Sequence, residues 1–142
     1  MFKHQIETLL KLEPSTKHVF RGVYPIDMLP NRQEGAYVIN LDKHNEPGSH
    51  WVAVFDDANR VEYFDSYGIA PSIPSFIGPD AVYSSITLQP LYSNACGFYC
   101  VYYIIHRARG VSMHDILLLL SRLDSHYVVK NLVYSNYSVL FR

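Results

Sequence analysis

Cys96 stands at the mouth of an apolar run, Ala95-Cys96-Gly97-Phe98-Tyr99-Cys100, with Gln89 seven residues upstream. A thiol can attack a carbonyl, and a nearby side-chain amide can receive the negative charge that then builds on oxygen. Ser49-His50-Trp51 and Phe64-Asp65-Ser66 lie further upstream, so histidine, carboxylate, glutamine and cysteine follow one another along the chain. These are the groups that cysteine-based acyl transfer uses: a base that shares the thiol proton, an acid that orients the base, and an oxyanion donor. In this scheme His50 pairs with Cys96, Asp65 orients His50, and Gln89 acts with the Cys96 backbone N–H as the oxyanion donor. Loss of one such donor typically costs on the order of 100–1000-fold in rate.

Each residue also has an inert reading. A buried cysteine is more often core than nucleophile, and Cys100 reads that way. The chain has seven histidines, so any one of them alone is weak evidence. Asp65 beside Ser66 and Gly68 suits a turn, and Gln89 could satisfy backbone groups around Pro90. The combination in one geometry is what favours chemistry.

That geometry depends on the elements that carry the residues. Trp51-Val52-Ala53-Val54-Phe55 and Val61-Glu62-Tyr63-Phe64 are strand-prone, and Asp56-Asp57-Ala58-Asn59 supplies turn chemistry between them, which predicts a hairpin. A symmetric four-residue loop pairs Phe55 with Arg60, Val54 with Val61 and Val52 with Tyr63, and sets His50 opposite Asp65. Opposed residues have Cβ atoms roughly 4.5–5.5 Å apart, within reach of a histidine–carboxylate hydrogen bond. Apolar residues on both faces place the hairpin centrally in its sheet.

A buried helix is predicted from about Gly97 to Arg109, stopped by Gly110. It sets Cys96 at a helix start, where the positive end of the helix and an imidazolium would both favour the thiolate. Residues 2–12 read as an amphipathic helix ended by Pro14, and Ala36–Leu41 as a strand. Phe20–Pro30, punctuated by Gly22, Pro25 and Pro30, reads as a structured loop with short pieces of regular structure. The segment from Gly68 to Pro79 reads as loop, and Val82–Leu88 as a short strand. Ser112 with Asp115 resembles a capping box before Ile116-Leu117-Leu118-Leu119-Leu120, and Asp124 or Ser125 suits the cap of a last helix. The fold class expected is α+β: a mixed or antiparallel sheet packed on a buried helix that begins at the nucleophile, in one domain spanning 1–142.

The chain has 142 residues, 49% of them hydrophobic, enough for a packed core without disulfides. Its net charge of −1 and scattered Lys and Arg offer no phosphate-tracking stripe. Two cysteines four residues apart and no leader-like opening point to an intracellular setting. No apolar run approaches the roughly 20 residues of a spanning helix, so no membrane role is expected. The chain has no zincin histidine pair, phosphate-binding glycine loop or Gly-x-Ser-x-Gly elbow to suggest another chemistry.

Gly48-Ser49-His50-Trp51, Phe64-Asp65-Ser66-Tyr67-Gly68, Gln89 and Asn94-Ala95-Cys96-Gly97-Phe98-Tyr99-Cys100 resemble the adenovirus protease (adenain) family, including the proteases of Maverick/Polinton-type elements. The order of residues is also similar to that of the SUMO-protease (ubiquitin-like protease) family, and differs from papain, where cysteine comes first. The resemblance implies a papain-like fold with His50, Asp65, Gln89 and Cys96 as catalytic residues, and Trp51, Asn94 and Gly97 beside the substrate. It implies an endopeptidase acting on viral capsid or core precursors, with small residues near the scissile bond. The setting it implies is the host nucleus or cytoplasm, with packaging in the virion. Adenovirus protease has glutamate where Asp65 stands, whereas aspartate is usual in the SUMO-protease branch. The adenovirus enzyme is stimulated by DNA and by a disulfide-linked peptide. Here, only Cys96 and Cys100 are present and the charge is near neutral, so neither activator is expected. The expectation is also of a monomer with no metal or other cofactor, and a nucleic-acid partner is left open. Two other functions fit the same residues: an isopeptidase acting on ubiquitin-like modifiers, and an inactive interaction module docking through its four-leucine run.

Overall fold

The computed structural model describes residues 1–47, 50–90, 93–122 and 124–141. Gly48 and Ser49 of the motif before His50, and Leu91 and Tyr92 before Cys96, lie outside the described residues. The chain runs α1 (Lys3–Leu12), β1 (Phe20–Pro25), a 3-10 turn (Ile26–Met28), β2 (Gly35–Asn40), β3 (Trp51–Asp56) and β4 (Val61–Phe64). It continues through α2 (Pro74–Ile77), β5 (Val82–Tyr83), α3 (Cys96–Ala108), α4 (Met113–Arg122), α5 (Ser125–Tyr137) and a second 3-10 turn (Ser138–Phe141). The strands form one mixed sheet in the order β1-β2-β3-β4-β5, parallel at both outer pairs and antiparallel between β2, β3 and β4. The α+β expectation of a mixed sheet is therefore met.

β3 lies at the centre and every one of its residues is buried. Because successive side chains of a strand point to opposite faces, the sheet has two cores. Ala36, Val38, Trp51, Ala53, Phe55 and Phe64 face a large core shared with α1, α3, α4 and α5. Tyr37, Ile39, Val52, Val54 and Tyr63 face a smaller one covered by Ile73, Phe76 and Ile77. Cys96 to Ile105 of α3 are all buried, as a helix apolar nearly all round must be. Gly110 stops the chain after α3 at φ +90, and Asp115 N–H donates to Ser112 Oγ at 3.1 Å at the start of α4. Asp124 caps α5 through the Tyr127 N–H.

Three expectations need correction. The hairpin forms, but Ala53 pairs with Phe64, Val54 with Tyr63, Phe55 with Glu62 and Asp56 with Val61, a register two residues beyond the symmetric one. Asp56 joins the strand, and the turn moves to Asp57–Arg60. Asp57 Oδ1 accepts the Asn59 and Arg60 N–H groups, and Asp56 Oδ1 accepts that of Ala58, which sits at φ +73. Second, Phe20–Pro25 is a strand. It lies at the sheet edge, where Pro25 costs no interior ladder bond and Gly22, at φ +137, takes up a shift in register. Third, the strand expected over Val82–Leu88 keeps only Val82–Tyr83. The four-leucine run divides: Leu117 and Leu120 enter the core, whereas Leu118 and Leu119 are exposed.

A buried charge cluster ties the hairpin to α3. Glu62 accepts from Arg107 Nε at 2.7 Å, from Arg60 Nη2 at 2.7 Å and from the Tyr103 hydroxyl. Glu62→Ala would leave the largely buried Arg107 guanidinium with only its longer contact to Asp57 and the Val111 carbonyl among its polar partners described, and is expected to cost about 3 kcal/mol of stability in urea denaturation.

Candidate active site

His50 precedes β3 and Asp65 follows β4, so the hairpin brings its two open ends together. A direct opposition is not what joins them. Extended to its ends, the observed register sets Tyr67 opposite His50 and leaves Asp65 on the diagonal, on the same face because a two-residue shift preserves side-chain direction. His50 Nε2 nevertheless lies 2.9 Å from Asp65 Oδ1, and its ring stacks on Tyr67 with centroids 4.7 Å apart.

Asp65 is buried, and its Oδ1 also accepts the Tyr67 N–H at 2.8 Å. Since an ionised carboxylate only accepts, His50 must donate from Nε2. His50 Nδ1 is buried and has no nitrogen or oxygen partner among the described residues. The group left for it is the Cys96 thiol, close enough for each to shift the other's proton affinity. Burial alone would lower the His50 pKa. The Asp65 hydrogen bond, the Cys96 hydrogen bond and both negative charges outweigh it and raise the pKa to about 9. Burial alone would likewise push the Cys96 thiol up. The His50 hydrogen bond and charge, with the Trp51 and Gly97 backbone N–H groups, bring it below its ordinary value. Both shifts favour the thiolate and the imidazolium over the neutral pair.

Cys96 is the first residue of α3, with Ala95 at the cap, and the Trp51 N–H points to its Sγ at 3.4 Å. β3 thus presents a backbone donor to the thiolate one residue after the imidazole. Cys100, one helical turn on, is only 1% exposed, and burial pushes its thiol well above the ordinary range.

Gln89 is buried as well. Its Nε2 donates to Ser93 O at 2.9 Å and to the Tyr67 hydroxyl at 3.3 Å, and its Oε1 accepts from the Ser66 hydroxyl. A carbonyl oxygen cannot donate, so Ser93 O fixes which end of the amide is nitrogen. In the resting site, then, Gln89 already bonds the loop before Cys96, as its inert reading allowed. The Ser66 carbonyl accepts the Leu88 and Gln89 N–H groups at 2.8 and 3.2 Å, which staples the Asp65–Gly68 turn to the Gln89 segment. Gly68 closes that turn at φ +71, where a Cβ would meet Ser85 O at 2.7 Å.

Of the three residues expected beside substrate, Trp51 is largely buried and borders a groove of about 1030 Å³ running between the start of α1, β1 and the loop after β2. Asn94 is exposed beside the nucleophile. Gly97 is buried under Met1, Ile6 and Trp51, where a Cβ would lie 3.1 Å from the Met1 Cβ, so close packing uses its small size. Sequence reasoning gave no role to Tyr67, Ser66 or Ser93. Their only signal was adjacency to Asp65 and Cys96.

A cysteine opens the buried helix α3 beside a histidine–aspartate pair at the ends of a central hairpin in a mixed sheet, and the same fold is found in a solved viral protease. The chain aligns with the ASFV pS273R protease over 92% of its own length and 64% of that chain, with a TM-score of 0.60 and 19% identity, a likeness of fold. In sequence it is related to R355 of Acanthamoeba polyphaga mimivirus, a thiol protease by name, at 32% identity over 98 residues. That match covers 58% of the chain and 32% of the relative, so the chain spans about a third of the relative's length. No protein-family model matches the chain.

Proposed function

We propose that these residues form the catalytic domain of a cysteine endopeptidase that cuts viral or mobile-element structural precursors. The observation that carries this reading is the 2.9 Å His50–Asp65 contact beside a helix-starting cysteine whose thiol is depressed by His50. The relationship to a mimivirus protein named as a thiol protease supports the viral class of substrate.

In the reaction, the Cys96 thiolate attacks the scissile carbonyl carbon and a C–S bond forms. The imidazolium of His50 gives its proton to the departing amine as the C–N bond breaks. Water, deprotonated by His50, then releases the acid product from the thioester and restores the pair. Gln89 and the Cys96 backbone N–H receive the oxyanion. For Gln89 this means turning one N–H from its resting partner, and the longer 3.3 Å contact to Tyr67 is the one more readily given up. The enzyme acts as a monomer without metal, peptide or DNA activator, in the host nucleus or cytoplasm and within the virion. No described helix is long and apolar enough to cross a membrane.

The test is mass spectrometry of the cysteine modified by a glycine-containing peptidyl vinyl sulfone, alongside a ubiquitin-like electrophilic probe and cleavage of a capsid precursor. An adduct on Cys96 from the peptide probe, with precursor cleavage, is expected. Labelling by the ubiquitin-like probe alone would move the substrate class to isopeptides, and no adduct on Cys96 would sink the reading. The pH dependence of kcat/KM should follow the ion pair. Activity rises as Cys96 deprotonates, at a pH below its ordinary 9.0, and falls as His50 loses its proton near pH 9. Both limbs belong to the pair rather than to either residue.

A further inference from the structure

Tyr67 contacts His50, Asp65, Gln89 and Ser93 at once. Its ring stacks on His50 at 27° between planes, its hydroxyl donates to Ser93 O at 3.0 Å, and the same hydroxyl accepts from Gln89 Nε2. Its backbone is held too. The N–H donates to Asp65 Oδ1, and the carbonyl accepts from Thr87 Oγ1 at 3.0 Å. One side chain thus meets the base on its face, the oxyanion donor at its amide and the loop that leads to the nucleophile.

Resting on the proposed protease reading, we propose that Tyr67 is a positioning residue with two separable parts: a ring that fixes the His50 imidazolium against Cys96, and a hydroxyl that holds the Gln89 amide ready for the oxyanion. The ring part follows from geometry. The contacts of His50 with Asp65 and Cys96 both fall at ring nitrogens, so they leave the ring able to tilt about the line through those atoms, and a stacked aromatic face opposes that tilt. A cation over an aromatic face is also stabilised by the ring quadrupole, which helps the charged form of His50. The hydroxyl part follows from the amide's two N–H groups. Ser93 O holds one firmly, and Tyr67 holds the other in a longer contact, so the direction is set while one N–H stays transferable.

The two parts give different signatures. Tyr67→Leu removes the face, and Tyr67→Phe keeps the face and removes the hydroxyl. Alkylation of Cys96 by iodoacetamide, followed against pH, reads the thiolate without requiring any peptide to be cut, so it separates failure of this proposal from failure of the protease reading. In Tyr67→Leu the acid limb of alkylation should move up by about half to one pH unit, because a weaker imidazolium stabilises the thiolate less. In Tyr67→Phe that limb should stay in place, while kcat for a peptide substrate falls about tenfold with KM little changed, the cost of an amide no longer held in its direction before the oxyanion forms. An unmoved limb in a Tyr67→Leu protein of unaltered melting temperature overturns the ring part. Wild-type kcat in Tyr67→Phe overturns the hydroxyl part. If Tyr67→Leu does not fold, Tyr67→Met, which fills the volume without an aromatic face, decides the ring part by the same limb.

Discussion

Cys96→Ala is expected to lower peptide hydrolysis by at least about four orders of magnitude, while Cys100→Ser keeps substantial activity. The contrast rests on environment, since both sulfurs lie on α3 within one helical turn. Cys96 has the Trp51 N–H at 3.4 Å, the Gly97 N–H and the His50 imidazolium, all of which favour the thiolate. Cys100 has none of these, and burial keeps it neutral. A thiol that stays protonated is a poor nucleophile, so Cys100 cannot rescue the loss of Cys96. Cys96→Ala removes one sulfur from a packed position, and its unfolding midpoint should stay close to that of the parent. Initial rates on a fluorogenic peptide, beside thermal melts of both variants, check the pair of outcomes. Equal loss in Cys100→Ser without loss of fold would reassign the nucleophile.

The second large effect is graded across the histidine–aspartate pair. His50→Ala should match the loss of Cys96, because both proton transfers and the ion pair pass through one ring. Asp65→Asn should cost less, on the order of 100- to 10,000-fold. An asparagine oxygen can still accept from His50 Nε2 and from the Tyr67 N–H, so the geometry survives and the charge is what is lost. Without that charge the His50 pKa falls from about 9 towards its ordinary 6.5, so the alkaline limb of the residual activity should move down. A wild-type rate in Asp65→Asn, or a limb that does not move, would remove Asp65 from the site.

The legibility of this site in the sequence owes much to the two-residue period of a strand. The expected register was two residues short, because the Asp56 and Asp57 side chains organise a turn over 57–60 rather than 56–59. His50 and Asp65 met all the same, since an even slip leaves every side chain on its face. An odd slip would have separated them. The helix over Cys96–Ala108 was plain from its apolar run and Gly110, whereas β1 was hidden by Gly22 and Pro25, which a sheet edge tolerates and local propensity cannot anticipate. Least legible were contacts between segments distant in sequence: Met1 over Gly97, and Ser66 and Tyr67 against Gln89. No local spacing encodes them.

The staple between the Asp65–Gly68 turn and Leu88-Gln89 makes the Asp65 carboxylate and the Gln89 amide one rigid part, and turns everything between them into a closed excursion. Its base is fixed by the Ser66 carbonyl and by the close approach of Gly68 to Ser85 and Ile86. Ile69, Ala70 and Ser72 stand exposed just beyond that base. The chain can therefore lengthen there without moving either the carboxylate or the amide. The length of that excursion and the geometry at its base are thus free to change separately.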